Sequence, residues 1–242
     1  MIALLRTRRW IAFTILVIAV VVTFGLLSQW QWHRAEERDA QRRDLLTHTG
    51  GPARDLTGVL AMAPADLPAL EWSPLEVTGS YEPNQYAVRR RPLDGRNGFW
   101  VLSRMTTTFG AVWINRGWLP AEGDALAMPR LPDPPQGEVQ VRGFYRQPEP
   151  TEPAQWKGLP PGMIPAIAPD HLAEPAALPG YLQLVSSQPE QQNLVILPLP
   201  DIDPSRNTSY AVQWVLFALV AVAGWFIMLR RETKSVRTER QQ

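Results

Sequence analysis

Two apolar runs, Trp10–Leu27 and Tyr210–Leu229, constrain this chain more than any other feature, because neither contains a charged residue. At about 1.5 Å of rise per residue, about twenty apolar residues make a helix as long as a bilayer core of about 30 Å is thick. The chain's 242 residues suit one or two domains, and two such runs exclude a simple cytosolic globule.

The flanks orient the spans. Arg6, Arg8 and Arg9 precede the first run, and Arg230, Arg231, Lys234, Arg237 and Arg240 follow the second. A cleavable signal peptide has an apolar core of only about 7–15 residues followed by a small-residue site. Here the run is longer and leads into Leu27-Ser28-Gln29-Trp30, so a retained anchor is expected. Basic flanks stay on the cytoplasmic side. The expected organisation is a cytoplasmic tail (1–9), a first span (10–29), an extracytoplasmic β-rich domain (30–209), a second span (210–229) and a basic cytoplasmic tail (230–242). Nine residues before the first span are short for a mitochondrial presequence, so a bacterial plasma membrane is the expected home. The tails carry +3 each and the whole chain +1, which leaves −5 for residues 10–229. An acidic outer segment argues against nucleic acid as a partner.

Periodicity divides the middle. Residues 30–46 contain no Pro or Gly and extend the first helix outward to about Leu46. Gly50–Ser73 reads as a loop with one short helix around Pro64–Leu70. Leu75–Tyr81 alternates as a half-buried strand, and Gln85–Arg91 follows as a second strand after Glu82-Pro83-Asn84. Phe99–Met105, Ala111–Trp118, Glu138–Tyr145, Tyr181–Ser186 and Asn193–Leu197 also read as strands. The Pro-rich stretches Leu119–Gly137 and Pro148–Pro179 connect them, the latter with a helical turn at Pro169–Ala173. The expected fold class is an α+β membrane protein, two transmembrane helices flanking an antiparallel β-sheet or small barrel.

Several chemistries are excluded by composition. There is no Cys, hence no disulfide, thiolate zinc site or cysteine nucleophile, and the six Met are scattered. The three histidines, His33, His48 and His171, form no His-x-x-x-His pair, with His48 and His171 in expected loops. Gly-x-Ser-x-Gly and a glycine-rich phosphate loop are missing as well. No catalytic residue and no resident metal are expected.

Aromatic and polar residues crowd the borders of the spans: Trp30, Gln31 and Trp32 after the first, Tyr210 and Trp214 at the start of the second. Amphipathic rings favour the headgroup zone. Gln213 lies one turn inside the second span, near Tyr210 on one face. Its amide calls for a partner, either on the first helix or on another membrane protein or a bound cofactor.

These border residues resemble the SURF1 family of cytochrome c oxidase assembly proteins, and the likeness runs nearly the full chain. The family's Leu-Gly-x-Trp-Gln-x-x-Arg pattern matches Leu27-Ser28-Gln29-Trp30-Gln31-Trp32-His33-Arg34, with Ser28 for the glycine. Its Val-x-Val-x-Gly-x-Tyr strand resembles Leu75–Tyr81, including Gly79, and its Asp-Gly-x-x-Gly-Tyr-x-Val turn resembles Asp94–Val101, including Gly98. Its Val-Asn-Arg-Gly-Trp-Val-Pro string appears as Ile114-Asn115-Arg116-Gly117-Trp118-Leu119-Pro120. Val141–Glu149 matches a Val-x-Gly-x-x-Arg-x-x-Glu stretch, and Tyr210-Ala211-Val212-Gln213-Trp214 matches the opening of the last span. The resemblance implies a non-enzymatic role in haem-copper oxidase assembly at the step where haem a enters the catalytic subunit. The implied partners are that subunit, membrane lipid and haem a synthase. A permanent accessory subunit of the oxidase or a supercomplex is the alternative. Some bacterial members are thought to hold haem a through a histidine in an Asn-His-Leu-x-Tyr context before the last span. Asn207 stands at that position here, in Arg206-Asn207-Thr208-Ser209-Tyr210. No cofactor is therefore firmly expected beyond transient haem a. His33, Arg34 and Arg116 are the candidates for contacting it, the arginines through propionates. Gly117 fits a bend or bulge that closes a strand.

Overall fold

The computed structural model describes residues 7–122 and 127–239, with side chains to residue 233. Arg6, Arg240, the side chains of Lys234 and Arg237, and four residues of the Leu119–Gly137 connection lie outside it. The elements are helices α1 (Arg8–Thr49), α2 (Leu56–Leu60) and α3 (Ser205–Glu239) and strands β1 (Arg54–Asp55), β2 (Pro74–Val88), β3 (Gly98–Thr107), β4 (Gly110–Pro120), β5 (Val139–Arg146), β6 (Met163–Ile164) and β7 (Tyr181–Gln188). They form two compact units, a helical one up to Asp44 and from Asp201, and a sheet unit over Leu45–Pro200. Residues 30–44, expected within the outer domain, thus group with the helices.

In the helical unit α1 and α3 run antiparallel. Ser28 Oγ donates to the Ala211 carbonyl at 2.9 Å, and Trp225 Nε1 donates to Thr14 Oγ1 at 3.1 Å. The two bonds are equally spaced on both helices, about 21 Å of rise. Between them Phe24 meets the rings of Trp214 at 5.3 Å and Phe217 at 6.0 Å. The seam repeats every third or fourth residue: Val17, Val21, Phe24, Ser28, Gln31 and Ala35 against Ala211, Trp214, Ala218, Ala221, Trp225 and Leu229. That spacing interlocks two helices. The other faces expose Ile15, Leu16, Val22, Leu216, Val220 and Ile227, so both helices are long and apolar enough to cross a membrane. α1 continues past the expected Leu46 to Thr49, and His48, expected in a loop, lies in its last turn. α3 starts before Tyr210 because Asp203 accepts from the Ser205 amide at 2.8 Å and so caps the first turn. The Ser205 hydroxyl, which also donates to this carboxylate at 2.5 Å, and then the Ser205 amide, with Arg42 and Arg38 nearby, hold the Asp203 carboxyl below its usual value.

The sheet unit is a seven-stranded mixed sheet, not the antiparallel one expected. Hydrogen bonding runs β1-β2-β3-β4-β7-β5, and β5 also pairs with β2, so the path returns on itself. β1–β2, β2–β6 and β4–β7 are parallel. Parallel neighbours need a crossover of a dozen residues or more, which the long Pro-rich connections supply. The returning path encloses a core of Leu75, Val77, Met105, Val112, Ile114, Val141, Leu182 and Leu184. Leu56 and Val59 of α2, with Leu67 and Leu70 from a 3₁₀ turn, cap it. On the opposite face Val88, Leu102, Trp113, Ile164, Ile167 and Tyr181 form a second cluster. β4 is therefore buried on both faces along most of its length.

Two strand assignments differ from expectation. Leu75–Tyr81 and Gln85–Val88 are halves of one strand, β2, whose register with β3 shifts between Tyr81 and Gln85, and Arg89–Arg91, expected to end the second strand, lie beyond it. Residues 82–84 have no ladder partner in the β2–β3 register, so the missing N–H of Pro83 is harmless there. Asn193–Leu197 forms no strand; only Val195 pairs, with Trp118.

The buried tyrosines give the sheet unit an alkaline limit. Desolvation pushes the phenols of Tyr81 and Tyr181 well above their ordinary value, and burial also raises Tyr86 and Tyr145. A raised folded pKa contributes stability that is complete below the unfolded value and lost as pH rises beyond it. Stability is expected to hold at mildly alkaline pH and to fall above about pH 10. Phenolate absorbance in native protein should lag that of denatured protein; coincident titration curves would contradict this.

Candidate functional site

The Asn115-Arg116-Gly117-Trp118 string sits on a β-bulge in β4. Val101 pairs with Gly117 and Leu102 with Asn115, so Arg116 is the extra residue. The expected bulge is present, but the strand continues through it to Pro120. Gly117 has φ +140°, and a Cβ there would lie 2.6 Å from the Val195 carbonyl oxygen. That contact is where the returning segment docks. The Trp118 amide donates to the Val195 carbonyl at 2.8 Å, and the Val195 amide donates back at 2.9 Å.

The bulge turns Arg116 into a fully buried position. Nη1 donates to Gln85 Oε1 at 2.7 Å and the Pro132 carbonyl at 2.9 Å. Nη2 donates to the Asp133 carbonyl and Nε to Gln191 Oε1, both at 3.2 Å. Gln191 Nε2 donates to the Arg116 carbonyl, and Ser103 Oγ donates to Gln85 Oε1 at 3.1 Å. Burial pulls the guanidinium pKa down, while Tyr81 and Asp133 act to raise it. The cation is thus held mainly by carbonyl and amide oxygens, with most of its donors engaged. It joins β2, β4 and two loops; propionate contact at Arg116 would require releasing these bonds. Sequence reading missed Gln85 and Gln191, since a lone Gln in a strand or loop carries no signal of what it faces.

The other matched residues of this unit also set backbone approach. Gly79 lies where β2 leaves β5 and takes up β3, and a Cβ there would overlap the Thr106 carbonyl. At Gly98 a Cβ would strike the Trp118 indole, whose Nε1 donates to the Arg91 carbonyl at 2.6 Å. Arg146 pairs with Glu71 at 2.6 Å and lies 3.7 Å above the Trp72 ring.

The border residues divide between the helix seam and the exterior. Gln31 is half-buried in the seam, and Trp214 packs on Phe24. Trp30 and Tyr210 are exposed, and Arg34 pairs with Glu37 at 2.9 Å on an open face. Gln213 points outward and has no hydrogen bond among the described residues, so it is not partnered by α1. Ser28 fills the polar role across the seam instead.

No group of three or more potential metal ligands occurs among the described residues. His171 stacks on Trp156 at 5.3 Å. His33 Nδ1 lies 3.3 Å from Glu36 Oε2 on the exposed side of α1. Asn207 lies in the first turn of α3, where its backbone N–H donates to the Pro204 carbonyl at 3.1 Å. A carboxamide does not suit an axial haem ligand, and the exposed His33 has no enclosing wall. These residues do not fit a resident haem.

The sequence profile of the SURF1 family matches residues 17–219. SURF1-like proteins of Mycobacterium bovis and Mycobacterium tuberculosis are each 26% identical over 248 residues, spanning 98% of this chain and 90% of theirs. The matched region contains the β4 bulge, the glycine approaches and most of the helix seam; the chain belongs to the SURF1 family.

Proposed function

We propose that this protein is a non-enzymatic, membrane-anchored assembly factor for the haem-copper cytochrome c oxidase. It acts on the catalytic subunit while haem a is delivered or retained, with haem a as cargo of the assembly step. Family membership supports the oxidase link. The observation that carries direct helix contact is Gln213: an unpartnered amide on the outward face of an apolar helix, one turn from exposed Tyr210. In a bilayer such a group gains from a hydrogen bond to another transmembrane helix. The basic flanks favour both ends on the cytoplasmic side of a bacterial plasma membrane and the sheet unit outside. We read the returning strand path as a small barrel. Lipid and haem a synthase complete the partners in this reading, and no step is routed through haem held by this chain.

Tagged protein should capture the catalytic subunit before the oxidase matures. One interhelical hydrogen bond is worth about 0.6–2 kcal/mol, so Gln213→Leu should weaken that capture by about three- to thirtyfold. Equal capture by the variant would contradict contact through Gln213. Stoichiometric recovery with mature oxidase would favour a permanent subunit.

A further inference from the structure

We propose that a groove at the end of β2 binds a phosphate-type oxyanion, carried by a small molecule or by a lipid headgroup. Arg89, Arg90, Arg91, Lys157 and one carboxylate, Glu149, line an open groove of about 560 Å³. The carboxylate is already committed. Glu149 pairs with Arg91 and accepts from the Ile167 amide at 2.8 Å. Arg91 is in turn fixed 4.0 Å above the Trp100 ring. This pair forms a neutral, rigid wall.

Three cations remain. Arg89, Arg90 and Lys157 have no ion pair among the described residues, and Arg89 Nε is buried without a hydrogen-bond partner. Three uncompensated cations in one groove stand out in a segment whose net charge is negative. Main-chain amides fix the arginine run. Arg89 donates to the Ile164 carbonyl and Arg91 to the Gly98 carbonyl, both at 3.0 Å, while Arg90 between them adopts φ +57°. A left-handed non-glycine residue costs energy that the surroundings must offset. Guanidinium forks match phosphate oxygens in pairs, and Lys157 adds a compact charge to the same groove. The groove's volume falls within the range for small-ligand sites.

The test uses the full chain in phosphatidylcholine nanodiscs, titrated with inorganic pyrophosphate by calorimetry. Saturable binding is expected, weakened about tenfold or more by Arg89→Gln and by Lys157→Gln, because charged hydrogen bonds are worth about 1.5–3 kcal/mol. Arg54→Gln, outside the groove, should leave it unchanged. Lys157 is exposed, so its variant reads the site without disturbing the fold. Nanodiscs containing phosphatidylglycerol separate the sources. Weaker pyrophosphate binding there, abolished as an effect by Arg89→Gln, assigns a lipid headgroup; equal binding in both discs assigns a soluble phosphate. No saturable binding in phosphatidylcholine discs, or unchanged affinity in both groove variants, would overturn the proposal.

Discussion

Arg116→Met is expected to lower the stability of the sheet unit by about 3–5 kcal/mol, since each buried acceptor left unpaired costs about 1–3 kcal/mol. The acceptors that lose a donor are the Pro132 carbonyl, the Gln191 amide, the Gln85 amide, which keeps the Ser103 hydroxyl, and the carbonyl of exposed Asp133. Arg116→Lys keeps the charge but cannot span all four with three donors on one nitrogen, so its loss should be intermediate. Near-ultraviolet circular dichroism during urea unfolding reads this directly, because Trp113 and Trp118 are buried on the same strand. A Met variant as stable as the parent would contradict the role of Arg116 as a buried cross-link.

Gly117→Ala is the second large effect. The added Cβ meets the Val195 carbonyl at 2.6 Å, and the residue must hold φ +140°. Left-handed strain and overpacking each cost about 1–3 kcal/mol, so a loss of about 3 kcal/mol or more is expected. Gly95→Ala is the internal comparison. Gly95 has φ +73° but nothing within 4 Å of its Cβ position, so only the conformational cost applies. Unfolding midpoints should rank Gly117→Ala well below Gly95→Ala. Equal midpoints would remove the docking of the Val195 segment from the explanation of this motif.

The long helices were legible because charge-free runs of about twenty residues have few other interpretations. The strands were legible where alternation held, as in Val139–Arg146. The single long β2 was not, since Glu82-Pro83-Asn84 carries the chemistry of a turn and here sits in an unpaired stretch of strand. The parallel β4–β7 pairing was also hidden, because Pro-rich connections show no helical crossover period. The bulge at Gly117 was readable from one glycine. The burial of Arg116 was not, because an extra residue changes which way a side chain points and an arginine on a strand reads as solvated. Gln213 was recognised as needing a partner, yet only the seam geometry assigns the helix-to-helix bonds to Ser28 and Trp225. Arg89-Arg90-Arg91 read as the tail of a strand. That it shares a groove with Lys157, 66 residues after Arg91, is something no local pattern encodes.

The role in oxidase assembly is tested most directly by the optical spectrum of membranes from a strain lacking this gene. The expected result is a reduced haem a band with b- and c-type cytochromes retained, restored by the intact gene and poorly by the Gln213→Leu form. An unchanged haem a band in the deletion strain would contradict the assembly role.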